Sequence, residues 1–259
     1  MNDNRPYLSV IFPIAGAADN LPLSLIDADR HLRGCGRDYE IIVVGSGYLD
    51  KAPESVRRLL PIIGFRLVES SPDKKRWIDT AKRGLDEARG RYRLLCANGA
   101  EAEMAELLKL PEFLEKNPEA AGIVLGKRNL GLDLRRFLFS GVHRLLIPEI
   151  TDPESPFICL NAESADRLTG REIGNSEIHL IFAARSGGIK LAEIPVTVKN
   201  QPHKIGAKET AKIIWRALQI KTGNFFERIL GKSKNLLEKV SKKSPYGASS
   251  EGGKDQREI

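Results

Sequence analysis

Short, continuous runs of hydrophobic residues alternate along the first 200 residues with longer segments in which hydrophobic residues recur every three or four positions. The short runs predict strands that are buried on both faces, and the longer segments predict amphipathic helices. Predicted strands lie at 8–12, 40–44, 65–68, 92–95, 122–125, 156–160 and 190–198, and predicted helices at 19–33, 53–60, 77–88, 104–114, 135–146 and 177–185. This alternation predicts an α/β fold with a mostly parallel sheet and helices on both of its faces.

Turn-forming residues mark several of the predicted boundaries. Pro13 ends the first strand, and Gly45-Ser46-Gly47 end the second. Asp19 or Asn20 is the expected N-cap of the first helix. Asn98-Gly99 break the fourth strand, at the carboxyl edge where α/β sheets bind ligands.

The pattern changes beyond residue 200, where basic charge accumulates. Residues 201–244 contain eleven Lys and Arg against three Glu, which accounts for the formal net charge of +7 on the whole chain. Two amphipathic helices are predicted at 207–220 and 225–240, and the polar segment after them predicts disorder. We therefore divide the chain into a folded domain at 1–200, basic amphipathic helices at 201–242 and a disordered tail at 243–259.

The composition, 41% hydrophobic and 29% charged, is that of a folded globular protein. Cys35, Cys96 and Cys159 are too far apart for a metal-ligand motif and odd in number, which indicates neither a disulfide framework nor a zinc site and fits a reducing cytosol. No segment approaches the roughly 18 apolar residues of a membrane span. The first ten residues lack a signal-peptide pattern. We expect a cytoplasmic chain.

Six segments occur in an order that resembles the family 2 glycosyltransferases of the GT-A fold. They are YLSVIFPIAGAADNL (7–21), EIIVVGSGYLD (40–50), DTAKRGLDEARGRY (79–92), IVLGKR (123–128), TDPESPFICLNAESADRL (151–168) and HLIFAARSGGIKLAEIPVTV (179–198). The most similar subgroup is that of the dolichyl-phosphate mannose synthase-like, polyprenyl-phosphate sugar transferases. The resemblance spans about 7–221. It implies a GT-A domain, a nucleotide-sugar donor, a polyprenyl phosphate acceptor and a role in cell-envelope polysaccharide synthesis.

The acidic residues that the family uses are missing from three loops. In the family they bind the base and hold Mg²⁺ or Mn²⁺ on the diphosphate, whose charge a hard cation neutralises. Their positions fall on Ala17 in the first loop, on Gly45 and Ser46 in the second, and on Ala97 and Gly99 or, one residue later, Asn98 and Ala100 in the third. This loss predicts impaired catalysis and no metal cofactor.

Other positions of the resemblance are retained. Those expected to bind substrate are Pro13, Asp50, Lys75, Arg128, Arg135, Arg136, His203 and Lys208, and those expected at the catalytic centre are Asn98, Glu101 and Asp152. Glu101 and Glu103 have two interpretations. They are either substitute metal ligands or acidic residues that interact favourably with the dipole at a helix N-terminus. Pro156 stands where the family has Gly. The basic residues are either solvated side chains or, as a set, an anion site.

Three functions compete at this point. The first is a degenerate pseudoenzyme that binds a membrane or a partner protein. The second is an active transferase that moves a sugar to a lipid phosphate through a metal-independent or altered diphosphate site. The third is nucleic-acid binding, which we set aside because the chain has no aromatic platform or recognised module. The basic helices predict attachment to an anionic membrane surface, on its inner face, or to a partner protein.

Overall fold

A computed structural model describes residues 5–15, 20–46, 54–71, 76–96, 103–128, 147–152, 155–171, 173 and 177–197. The strands are β1 (Leu8–Ile14), β2 (Tyr39–Ser46), β3 (Arg66–Ser70), β4 (Tyr92–Cys96), β5 (Ile123–Arg128), β6 (Phe157–Asn161) and β7 (Leu191–Val196). The helices are α1 (Leu21–Arg33), α2 (Glu54–Arg57), α3 (Leu60–Ile63), α4 (Trp77–Glu87), α5 (Lys109–Lys116), α6 (Ala162–Thr169) and α7 (Glu177–Ser186), with a 3₁₀ turn at Met104–Glu106.

The seven strands form one sheet in the order β3-β2-β1-β4-β6-β5-β7. The pairs β1–β2, β2–β3, β1–β4 and β5–β7 are parallel. Strand β6 is antiparallel to both β4 and β5, so six of the seven strands run in the same direction. The predicted α/β fold with a mostly parallel sheet is confirmed.

The continuous hydrophobic strands are explained by two separate cores, one on each face of the sheet. Helices α1, α2 and α5 pack over the first core, and α4, α6 and α7 pack over the second. Successive residues of β1 alternate between them: Val10 and Phe12 belong to the first core and Ile11 to the second. A sheet covered on both faces needs hydrophobic residues at every strand position, which removes the alternation of a half-exposed strand.

Prolines explain two boundaries that the hydrophobic pattern placed incorrectly. The predicted helix at 53–60 is two short helices, because in one continuous helix the ring of Pro61 would clash with the carbonyl of Arg57, four residues earlier and the last residue of α2. The predicted helix at 104–114 is likewise a 3₁₀ turn followed by α5, which begins two residues before Pro111. In both places proline lies in the first turn of a new helix, where its missing N–H costs least.

Pro13 does not end the first strand as predicted. Strand β1 continues to Ile14 and pairs with β2 over its full length, whereas its pairing with β4 stops at Ile11. Among the described residues, Pro13 therefore lies where β1 pairs with β2 alone, a position that tolerates a residue with no N–H donor. At the start of α1, Asn20 is the N-cap but its side chain makes no capping hydrogen bond. Asp19 lies outside the described residues.

Several other predictions also fall outside the described residues, including the helices at 135–146, 207–220 and 225–240. None of the helices that the structure does describe combines the length and the apolar character of a membrane span. Cys35, Cys96 and Cys159 form no disulfide in this structure. Cys96 and Cys159 are buried in the first core, and burial raises the pKa of both thiols, so they remain protonated at neutral pH.

At the amino edge of the sheet, the Glu40 carboxylate connects three segments. It accepts hydrogen bonds from Ser9 Oγ at 2.6 Å, from the Arg89 amide at 2.7 Å and from Arg66 Nη2 at 3.0 Å. Burial disfavours the charged carboxylate, but these hydrogen bonds and the charge of Arg66 outweigh burial and lower the pKa of Glu40. The ionised form is therefore favoured in the folded protein.

Replacing Glu40 with glutamine is expected to destabilise the protein by about 1 kcal/mol at neutral pH, because one charge-assisted acceptor is lost. A carboxyl group with a lowered pKa contributes stability above its unfolded pKa, about 4.3, and loses it as the pH falls through the folded value. Thermal melts of both proteins from pH 7 to pH 3 should therefore converge at the acid end. A difference in Tm that stays constant over this range would contradict the interpretation.

Candidate functional site

The carboxyl ends of the six codirectional strands meet at one edge of the sheet, here called the carboxyl edge. It comprises Ile14, Ser46, Ser70, Cys96, Arg128 and Val196. The chain proceeds from β1 to β2 and β3 on one side, whereas β4 lies on the other side of β1. Such a reversal leaves a crevice outside the ends of the two strands, where open α/β sheets bind ligands. The candidate site is therefore at the ends of β1 and β4 and extends toward β5.

Three of the residues expected from the sequence lie at or near the carboxyl edge. They are Pro13 near the end of β1, Arg128 at the end of β5 and Asp152 in the segment before β6. Pro13 is buried in the sheet. Outside the described residues lie Asp50, Lys75, Asn98, Glu101, Arg135, Arg136, His203 and Lys208. The roles of all these residues stay predictions.

Arg128 and Asp152 form a buried ion pair with two parallel hydrogen bonds. Arg128 Nε donates to Asp152 Oδ2 at 2.8 Å, and Nη2 donates to Oδ1 at 2.8 Å. The backbone N–H of Arg128 also donates to Oδ2, at 3.0 Å. Each residue is only 7% exposed. The pair fixes the plane of the guanidinium group at the carboxyl edge, and Asp152 occupies its Nε–Nη2 edge.

Glu193 on β7 holds the backbone that carries Asp152. Its Oε1 accepts hydrogen bonds from the amide N–H groups of Thr151 and Asp152, each at 2.7 Å. Its Oε2 accepts the Thr151 hydroxyl at 2.7 Å. No role was predicted for Glu193, although the segment LAEIPVTV was part of the resemblance. An acidic residue at a strand position that is otherwise apolar was the available signal.

The turn into β6 brings Ser155 against the end of β5. Ser155 is buried, and its hydroxyl lies 2.9 Å from the carbonyl oxygen of Gly126 and 2.5 Å from that of Phe157. A Cβ at Gly126 would lie 3.0 and 3.1 Å from the two methyl carbons of Val196. A larger residue at Gly126 would therefore require Val196, on the neighbouring strand β7, to shift by a few tenths of an ångström.

The chain that follows β4 returns to the carboxyl edge beside β7. The Glu103 amide donates to the carbonyl of Thr197, the residue after β7, at 3.1 Å. The Thr197 hydroxyl in turn lies 3.4 Å from Glu106 Oε1, and Glu106 Oε2 binds Lys109. Strands β4 and β7 are three strand spacings apart, about 14 Å, and residues 97–102 connect their ends. Glu103 is thus placed at the carboxyl edge.

The described residues do not form a metal site. No group of three or more His, Cys, Asp or Glu side chains suited to a cation occurs among them. Asp152, a carboxylate expected at the centre, is bound to Arg128 instead. The part of the chain that the structure describes therefore identifies no ligands for a divalent cation.

Comparison with solved structures identifies the fold. Glucosyl-3-phosphoglycerate synthase from Mycobacterium tuberculosis, bound to Mn²⁺, UDP and glucosyl-3-phosphoglycerate, is similar with a TM-score of 0.60 and 17% identity, covering 85% of this chain and 81% of that one. Its complex with Mg²⁺ and UDP gives 0.56 and 18%, with 85% and 80% coverage. A further mycobacterial protein gives 0.61 and 18%, with 85% and 76% coverage. No family model matches the chain. At these identities, the chain shares the GT-A fold.

The comparison corrects the prediction that no metal cofactor is used. That prediction is wrong, because structures with this fold hold Mn²⁺ or Mg²⁺ together with UDP. It relied on the loss of acids from an aligned family motif. Carboxylates from other positions of the chain are also able to bind a cation, so a missing motif does not exclude one.

Proposed function

We propose that the chain is a glycosyltransferase that takes a sugar from a nucleoside-diphosphate sugar and transfers it to an acceptor that carries phosphate. The observation that supports this most directly is the buried, oriented guanidinium group of Arg128 at the carboxyl edge of a GT-A sheet. A fixed cation at this edge suits a reaction whose donor and acceptor are both anionic. The similar synthase binds UDP and phosphoglyceric acid, according to its complexes.

The role proposed for Arg128 is to bind a phosphate group and to stabilise the charge on it. Asp152 holds Nε and Nη2, which fixes the orientation of the planar group. Because the pair is buried, the guanidinium position does not have to reorganise during the reaction, and electrostatic stabilisation is strongest from groups that are already in place.

We also propose that a divalent cation accompanies the diphosphate. Bound there, it would neutralise the charge that develops on the leaving diphosphate. We assign it no ligands, because the described residues provide no suitable group. The contribution of this chain's described residues is therefore limited to binding and orientation by the Arg128–Asp152 pair.

The acceptor is a phosphorylated compound, either a small acid or a polyprenyl phosphate. The similar synthase favours a small phosphorylated acid. The sequence resemblance and the basic segment at 201–242 favour a lipid phosphate at an anionic membrane surface, and with it a role in cell-envelope polysaccharide synthesis. Both acceptors offer the same phosphate group to Arg128, so an assay with both is needed.

A second candidate is a pseudoenzyme that binds nucleotide sugar without transferring it. The observation that favours it is the absence of the family's acids from three loops, at Ala17, at Gly45-Ser46 and at 97–100. Such a protein would still bind anions through Arg128. It differs from the first proposal only in turnover.

The two candidates are separated by measuring release of UDP from UDP-glucose, or GDP from GDP-mannose, in the presence of Mn²⁺. Each donor is tested with 3-phosphoglycerate and with a short-chain polyprenyl phosphate. The transferase proposal predicts nucleotide release that one acceptor stimulates and that EDTA abolishes. Nucleotide binding without stimulated release would favour the pseudoenzyme, and a chain that binds neither donor would refute both.

A further inference from the structure

We infer that Glu193 is a positioning residue for phosphate binding: it fixes the backbone of Thr151 and Asp152, and through Asp152 it orients the guanidinium group of Arg128. The inference rests on the proposed function for its biological meaning. The contacts on which it depends do not involve turnover, and they predict an effect on phosphate binding that can be measured without it.

The three hydrogen bonds to Glu193 constrain one short piece of backbone from a single side. Two successive amides, of Thr151 and Asp152, donate to the same oxygen of Glu193, and the Thr151 hydroxyl donates to the other. Two consecutive N–H groups that point to one carboxylate define the direction of the chain between them. The Asp152 side chain therefore leaves the backbone in a direction that Glu193 sets.

The Asp152 carboxylate passes this constraint to Arg128. It accepts from the backbone N–H, from Nε and from Nη2 of Arg128. Glu193 is aligned with Leu125 on β5, three residues before Arg128, which itself is aligned with Val196. Both ends of the chain of contacts are thus anchored in the same pair of strands, and Asp152 is held between them.

The segment around Asp152 has other anchors, so it stays attached when Glu193 is changed. Ile147 and Ile150 are buried in the second core, at 2% and 1% exposure. Glu149 pairs with Arg185 of α7 at 3.3 Å. Loss of Glu193 is therefore expected to loosen the position of Asp152 without unfolding the segment, which makes the inference testable by substitution.

The two possible roles of Glu193, as a negative charge and as a hydrogen-bond acceptor, predict opposite effects of its removal on anion binding. If Glu193 acted only as a negative charge near Arg128, removing the charge would strengthen anion binding. If it acts as a hydrogen-bond acceptor, its removal weakens anion binding, and glutamine, which keeps one carbonyl oxygen for the two amides, restores it. Glu193→Ala and Glu193→Gln both remove the charge, but only the first removes the acceptor.

The experiment titrates the full chain with inorganic phosphate and with 3-phosphoglycerate, and follows hydrogen exchange of the Thr151 and Asp152 amides. Glu193→Ala should weaken binding of both probes about tenfold, because a small misplacement of a binding group is costly, and should expose both amides to exchange. Glu193→Gln should stay within about twofold of the wild type. Thr151→Val, which removes the hydroxyl contact alone, should give a smaller loss than Glu193→Ala.

Glu40→Ala serves as the control for general loss of stability. Glu40 also accepts a hydroxyl and a backbone amide from a strand position, but at the amino edge. The Glu40→Ala substitution should lower Tm and leave the affinities for inorganic phosphate and 3-phosphoglycerate unchanged. If Glu193→Ala binds phosphate as well as the wild type or better, or if Glu193→Gln loses as much as Glu193→Ala, the inference fails.

Phosphate binding and amide exchange test the role of Glu193 independently of the proposed function. Phosphate affinity and amide exchange require no turnover, so a chain with no transferase activity still tests Glu193. If transfer occurs, Glu193→Ala should raise KM for the acceptor more than it lowers kcat. An active enzyme in which the Glu193 variants keep their phosphate affinity would leave the proposed function standing and overturn the positioning role.

Discussion

Replacing Arg128 with alanine is expected to lower the free energy of unfolding by about 3–5 kcal/mol, because it leaves the buried Asp152 carboxylate without its partner. The same change should abolish binding of the acceptor phosphate. The side chain is buried and makes two hydrogen bonds of 2.8 Å to Asp152. Denaturant unfolding measures the first effect, and titration with 3-phosphoglycerate measures the second.

A double variant separates stability from binding. Arg128→Met with Asp152→Leu replaces the ion pair by hydrophobic side chains, a change that is often neutral for stability. We expect this variant to recover most of the unfolding free energy and still to bind no phosphate. If it recovers binding, or if Arg128→Ala is as stable as the wild type, Arg128 does not have the role described here.

Replacing Gly84 with alanine should destabilise the protein by about 1–3 kcal/mol, the usual cost of overpacking a core. A Cβ at Gly84 would lie 2.3 Å from Ile11 Cγ2 and 3.2 Å from Val44 Cγ2. Ile11 and Val44 are fully buried strand residues, so α4 would have to move away from the sheet. Alanine is normally the better helix former, which makes the expected sign opposite to that of intrinsic propensity. Chemical denaturation measures the change.

Gly34 provides the matched control in another helix. It ends α1 with φ at −77°, which alanine adopts without strain, and an added Cβ would meet only backbone oxygens at 3.6 and 3.9 Å. Gly34→Ala is expected to be neutral or to stabilise by about 0.4–1 kcal/mol, because the unfolded chain loses freedom. Equal losses for the two substitutions would show that packing against β1 does not explain the effect at Gly84.

The sequence predicted the layers of the fold because the signals for them are local. The continuous hydrophobic runs of β1, β2 and β4 follow from burial on both faces, and the apolar stripe of α4 follows from packing on one face. The errors at 53–60 and 104–114 came from prolines within hydrophobic runs. Periodicity alone does not show that Pro61 and Pro111 lie in the first turns of new helices.

The site was harder to predict from the sequence than the fold, because its contacts join segments that are far apart along the chain. Arg128 and Asp152 are 24 residues apart in the sequence. Glu193 is 41 residues from Asp152 and 42 from Thr151. Resemblance identified Arg128 and Asp152 separately, one for substrate and one for catalysis. It gave no indication that they bind each other, because pairing depends on the order of β5, β6 and β7 in the sheet.

The metal prediction failed for a different reason. It treated the loss of aligned acids as the loss of the cation, whereas ligands are defined by position in space and not by a motif. Glu103 illustrates the difference: it follows the altered loop, and its backbone is bound beside the end of β7 at the carboxyl edge.

Calorimetric titration of the full chain with UDP-glucose and with GDP-mannose, with and without Mn²⁺, tests the proposed function most directly. The proposal predicts saturable binding of one donor that Mn²⁺ strengthens at least about tenfold, corresponding to about 1.4 kcal/mol. The absence of binding to either donor, in the presence or absence of Mn²⁺, would contradict it.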